Sequence, residues 1–446
     1  MFLRTLPAIR TRCAQVHHLA EKGALQYFDY NPACLDDVIK FCAVHHRGTS
    51  RVSWLFPPLE PFPVQLTLAS PSIRETLRTR LIPWRHLDAG HPRIAPLLQT
   101  WSAAGVSTTE QCKRLLDLFL VSVLLDAGAG NVWTYTEPGT GRTFARSEGL
   151  GVASLHMFCA GVFSGSEDQP CRVDAQGLAG ITTDKVAEAM QVNAANPMVG
   201  LDGRVALLVH LGGALASNPQ FFGEDARPGN MLDFLETQSK LKGATRHIHI
   251  ATLWTVLIDG LSAIWPSRHT LDGVPLGDVW PCPALALAQP GRPESEALVP
   301  FHKLTGWTAY SLIEPIQTLL GWKFEGVEDM TGLPEYRNGG LLIDFGVLTL
   351  RPGTLSPGYF PEGTSTGIPR LPPSHPAIVE WRAMTVIELD RIADGLRRKF
   401  NLAPEQLTLA QVLESATWKG GREIAKKLRP ETGGPPIDIV SDGTVF

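Results

Sequence analysis

From Glu110 onward, apolar residues return at helical intervals in one segment after another, while stretches with strand-like alternation are short and far apart. The run EQCKRLLDLFLVSVLLDAG predicts a buried helix that closes near Asp126 and is punctuated by Gly128. Helical spacing resumes at 152–163, 183–192, 203–216, 231–240, 248–264 and, despite Pro315, 309–320. No strand–helix–strand recurrence is present, which argues against a doubly wound parallel sheet. The expectation is a mainly α, multi-helical body with a few short β strands, with α+β as the alternative.

The N-terminal region follows the same logic. Ile9, Cys13, Val16 and Leu19, then Leu35, Val38, Ile39 and Cys42, mark two amphipathic helices. The segment WLFPPLEPFP at 54–63 then interrupts, because proline removes amide donors and restricts its neighbours. The chain therefore divides into a variable helical region over 1–80 and a main domain over 81–446. Within the latter, NVWTYTEPGTGRTFAR predicts a hairpin turning at Pro138-Gly139-Thr140-Gly141. The Pro-rich stretch 280–300 reads as a loop or lobe boundary, 341–350 as a strand and 352–376 as a loop. Pro376 opens a helix with Ile378, Trp381, Leu389, Ile392 and Leu396 on one face, and Arg391, Arg397, Arg398 and Lys399 in its later turns.

Charge narrows the function classes. Forty Lys and Arg stand against 44 Asp and Glu, a net −4 over 446 residues, too balanced for a general electrostatic grip on nucleic acid or an acidic membrane. A small-molecule substrate fits better. Seven scattered cysteines, none spaced CxxC, point to reduced thiols rather than disulfides or a cysteine zinc site. No run approaches a membrane span and no signal-peptide pattern follows the basic N-terminus, so a cytoplasmic location is the default.

Several motif matches carry little. GTSTG at 363–367 fits GxSxG but lacks the flanking strand and helix of a nucleophile elbow. AGAGN and GLGVAS lack the third glycine of a dinucleotide fingerprint. His247 and His249 are either metal ligands, without an HExxH companion, or hydrogen-bonded residues at a helix start. WKGGREIAKKLRP offers a phosphate seat on free amides and Arg422, or simply a solvated helix.

Four blocks concentrate polar residues within apolar surroundings, which is unfavourable unless those groups are paired or used. The first, 124–158, holds Asp126, Asn131, Trp133, Tyr135, Arg146 and Glu148; the second spans 247–254. The third, GLPEYRNGGLLIDFGVL, holds Glu335, Tyr336, Arg337, Asn338 and Asp344. The fourth, 372–390, holds Glu380 and Arg382, for which an exposed helical pair beside Trp381 is the favoured reading because helical charges usually face water. Asp344 is the most informative: a carboxylate in LLIDFGVL must be catalytic, or must cap amides or pair with Arg337.

These blocks, with RPGNMLDFLE and the terminal ATWKGGREIAKKLRPETGGPPIDIVSDGTVF, resemble the uracil catabolism protein four family from about Arg80 onward. That family is in turn distantly similar to the queuosine phosphate N-glycohydrolases, which are mainly helical. The resemblance implies a pathway that opens the uracil ring and liberates urea. It makes hydrolysis of the N-glycosidic bond of ribosylurea or its 5′-phosphate the expected reaction. Such chemistry needs a carboxylate at the cationic anomeric carbon, for which Asp344 is first choice and Glu335 second, and an acid for the leaving urea, Glu148 or His249. Arg146, Arg337 and Arg382 are phosphate candidates, and Trp133, Tyr135 and Tyr336 either wall the sugar or pack the core. Glu380 and His247 complete the expected binding set. No metal or cofactor is required. The alternatives are a metal-dependent amidohydrolase using His247 and His249 on a ureide, and a non-catalytic scaffold.

Overall fold

The computed structural model describes residues 1–47, 82–264, 269–361 and 367–440. The Pro-rich segment 54–63 and nearly all of GTSTG lie outside them. The principal helices are α1 (Leu6–Glu21), α2 (Leu35–Arg47), α3 (Ile82–Leu87), α4 (Thr108–Leu125), α5 (Arg146–Cys159) and α6 (Leu201–Ala216). They continue with α7 (Ile250–Gly260), α8 (Lys303–Leu320), α9 (Tyr336–Asp344), α10 (Pro376–Phe400) and α11 (Trp418–Leu428). Strands are two to five residues long and pair in small sheets, so the chain is mainly α. Among the described residues no helix is long and apolar enough to cross a membrane.

The centre is α4, whose residues from Leu115 to Leu125 are all buried. Ser107 caps its start by accepting from the Glu110 amide at 3.2 Å. The one carboxylate on its buried stretch, Asp117, is held by the Arg227 guanidinium at 2.7 Å and the Gly229 amide at 2.7 Å. RPGNMLDFLE thus serves to neutralise a buried charge. Helix α8 packs along α4, α1 lies against α10, and one apolar core runs from Leu6 to Ile437.

Three expectations change. Segment 341–350 is not one strand: α9 runs to Asp344 and only Leu348–Leu350 is extended, pairing antiparallel with Phe28–Tyr30. A strong N-cap at Glu335 starts a helix that the apolar run alone does not reveal. The stretch 280–300 is not a boundary, because Val279–Pro281 and Leu298–Pro300 pair antiparallel and close it into an excursion packed on α1. The glycines at 420 and 421 do not precede a helix; they lie inside α11. Any side chain at Gly421 would strike the Arg337 carbonyl, so this glycine lets α9 and α11 touch along their backbones.

Candidate active site

Where α4 ends, the chain turns through Asp126-Ala127-Gly128-Ala129-Gly130-Asn131, and this turn forms one wall of a cavity of about 510 Å³. The others come from α3, the first turns of α5, α8 and α9, helix α11, and the loop 432–435. A helix C-terminus repels a carboxylate and leaves carbonyls without partners. Arg204 resolves the second problem: fully buried, it donates to the carbonyls of Leu125, Ala127 and Val199. Burial brings its pKa down to about 10, against the opposing charge of Asp126, so it stays protonated at neutrality.

His86, Asp126, Lys303 and Glu335 all line the cavity, and the charges of both carboxylates act on Lys303. The His86 Nδ1 lies 3.5 Å from Asp126 Oδ2, and both side chains are largely buried. Glu335 caps α9, accepting from the amides of Arg337 at 2.8 Å and Asn338 at 2.6 Å. Burial raises its pKa, while those amides and the charges of Lys303 and Arg337 pull it down. Burial lowers the Lys303 pKa, and Glu335 is the strongest opposing influence.

Lys303 is placed from behind. His302 adopts a left-handed backbone, φ 44°, uncommon for a residue with a side chain, and its Nε2 donates to the Leu3 carbonyl at 2.8 Å. Asp278 accepts from the Lys303 amide at 3.0 Å and from Arg382 through both oxygens, at 2.7 and 2.8 Å. These contacts, with the Arg382 charge foremost, overcome burial and hold Asp278 well below the usual carboxylate range.

Three buried polar atoms of the lining, His86 Nε2, Trp307 Nε1 and Asn338 Oδ1, have no hydrogen-bond partner among the described residues. Buried polar atoms normally find partners, so these three unpaired atoms set the residues that carry them apart from the rest of the interior. Exposed Arg146 and half-buried Glu148, Tyr336, Arg337, Trp418 and Arg422 also line the cavity and form its charged rim.

Of the residues singled out from sequence, Asp126, Asn131, Arg146, Glu148, Glu335, Tyr336, Arg337, Asn338 and Arg422 line this cavity; Asp344, His247, His249, Trp133, Tyr135, Glu380 and Arg382 do not. Asp344, 4% exposed, is bound through both oxygens by Arg429 at 2.8 and 2.6 Å. Its partner is thus Arg429, brought from 85 positions away, not Arg337. Arg429 also donates to the Gly434 carbonyl at 2.6 Å, so the pair braces the loop 432–435. Glu380 and Arg382 are not a solvent-facing pair: both are buried, Glu380 accepting from the amides of Gln26 and Tyr27 and Arg382 gripping Asp278.

His247 stands 2.8 Å from Glu325, and His249 caps α7 by accepting from the Ala251 amide. Among the described residues no group of three or more His, Cys, Asp or Glu could hold a metal ion. Trp133 is core, donating to the Met190 carbonyl at 3.0 Å, and Tyr135 is buried against His156.

His86, Lys303, Trp307 and Trp418 carry no local signal, apart from the glycine that seats His86. An added Cβ at Gly151 would lie 3.0 Å from the His86 backbone and Cβ, so α5 and α3 meet at the histidine. Gly151→Ala is expected to cost about 1–3 kcal/mol by overpacking, read as a lower midpoint in urea unfolding. The histidine should move with it, visible as a changed His86 ring signal by NMR.

A cavity that brings acid–base side chains together beside guanidinium groups has the character from which small-molecule sites are built. The chain belongs to the family described as "Protein of unknown function (DUF1688)", whose profile matches residues 78–446. It is 42% identical to Uracil catabolism protein 4 of Lachancea kluyveri, over all of this chain and 98% of that protein. It is 38% identical to Protein urg3 of Schizosaccharomyces pombe, again over all of this chain and 98% of the relative.

Proposed function

We propose that this chain acts in uracil catabolism and that its cavity hydrolyses the N-glycosidic bond of a ribosylurea or its 5′-phosphate, releasing urea. The pathway rests on the likeness to Uracil catabolism protein 4. The observation that carries the chemistry is that Asp126, Glu335 and His86 line one cavity, with His86 3.5 Å from Asp126.

As the C1′–N bond stretches, positive charge builds on the sugar, and the Asp126 carboxylate stabilises it. Glu335, made more basic by burial, takes a proton from the water whose oxygen bonds to C1′. His86, oriented through Nδ1 by Asp126, donates a proton from Nε2 to the urea nitrogen as its bond to C1′ breaks. Lys303 holds the urea carbonyl. The two transferred protons balance, and urea leaves neutral.

The role first assigned to Asp344 passes to Asp126 and Glu335, because Asp344 is committed to Arg429. Asp344→Asn is expected to lower stability by about 1–3 kcal/mol in denaturant titrations, since it weakens a charge-assisted pair, while urea release persists. The metal-dependent alternative lacks convergence: His247 and His249 are each engaged outside the cavity lining. The decisive assay incubates the protein with ribosylurea and with its 5′-phosphate and measures urea together with the freed sugar. Absence of urea from both removes the hydrolase reading.

A further inference from the structure

The rim of the cavity holds more positive charge than its own carboxylates answer. Arg146, Arg337 and Arg422 line it together, and the Arg422 guanidinium sits 3.6 Å from Glu148. Arg146 and Arg337 make no ion pair among the described residues. The Trp418 ring carries two of the three cations, Arg422 at 4.9 Å and Arg337 at 6.0 Å from its centroid. Stacking on one indole therefore draws like charges together. The cost shows at Arg422, where burial lowers the pKa and the charges of Arg337 and Arg146 lower it further against Glu148.

Backbone geometry adds to this. Arg146 opens α5 with φ 55°, a left-handed conformation that costs a side-chain-bearing residue free energy and clusters at functional positions. The turn it makes leads from the strand Thr143–Ala145 directly into a helix whose first turn lacks a side-chain cap. Ser147 and Glu148 of that turn line the cavity, so the positive end of α5 adds to the three arginines.

We infer that this rim is a phosphate subsite and that the cavity takes the 5′-phosphate ester of its sugar substrate in preference to the unphosphorylated sugar. A dianion relieves the repulsion among the guanidiniums, and guanidinium forks match phosphate oxygens in pairs. The inference deepens the hydrolase reading, since the ester would anchor the sugar with its anomeric carbon toward the buried carboxylates.

Binding tests it without turnover. Titration calorimetry on the full chain compares ribose 5-phosphate, ribose and inorganic phosphate, for the parent protein and for Arg146→Gln and Arg337→Gln. Arg146 is exposed, so its variant keeps the fold, and a thermal melt verifies this. Ribose 5-phosphate should bind about 10- to 100-fold tighter than ribose, and each variant should remove much of that margin, as expected for charged hydrogen bonds. Equal affinity for the two sugars, or variants that leave the margin intact, would overturn the subsite. So would inorganic phosphate binding as tightly as the ester, which marks an adventitious ion only. If the margin holds and ribosylurea 5′-phosphate still yields no urea, the hydrolase reading falls and the subsite stands.

Discussion

Glu335→Gln is expected to reduce urea release by about 10²–10⁴-fold, the range typical of a positioned general base. Glutamine keeps the shape and one of the two capping acceptances at the start of α9, so the fold should lose no more than about 1 kcal/mol. The pH profile separates this from a merely structural loss. As the proposed base, Glu335 must be ionised to accept a proton, so kcat/KM in the parent protein is expected to fall as pH drops through its pKa. Burial places that pKa above the ordinary glutamate value of 4.5, and the acid limb should lie correspondingly high. In the glutamine variant that limb disappears from the residual rate. A variant that retains parental turnover with the same limb would assign the base elsewhere.

Arg204→Ala is expected to be the most damaging substitution for stability, at about 3–5 kcal/mol, because the carbonyls of Leu125, Ala127 and Val199 lose the guanidinium and a fully buried side chain leaves a cavity behind. The damage should begin locally. Amides of residues 127–131 would lose protection in hydrogen exchange before the core of α4 does, since Arg204 ties that turn to the end of the helix. Turnover should fall with it, as Asp126 heads the turn. Arg204→Lys, which keeps the charge but not the fork, should fall between the two. Unchanged exchange in the turn would show that the wall stands without the arginine.

Much of the architecture was legible from spacing. Helices over α1, α2, α4, α6, α8 and α10, and the hairpin between Thr134–Thr136 and Thr143–Ala145, follow from hydrophobic period and turn residues. The miss at 341–350 is instructive. LLIDFGVL is apolar enough for a strand, but Glu335 accepts two amides and nucleates a helix through Asp344. A cap six residues before an apolar run outweighs the run. Two of the four polar blocks, 124–158 and 332–348, supply residues to the cavity lining, while 247–254 and 372–390 hold residues engaged elsewhere.

Which polar residue is held and which is available was settled by distance in space. Asp344 and Glu335 look alike in sequence, two acids nine positions apart in one block. Arg429 arrives from the end of α11 and fixes the first, while α9 turns the second toward Lys303 and the cavity. His86 and Asp126 are 40 positions apart, with nothing local to link them until Gly151 lets α5 press against α3. Period and caps are local interactions, and they set the helices and the chemical character of each block. Pairing of charges depends on which helix ends meet, and that was decided only when the core closed around α4.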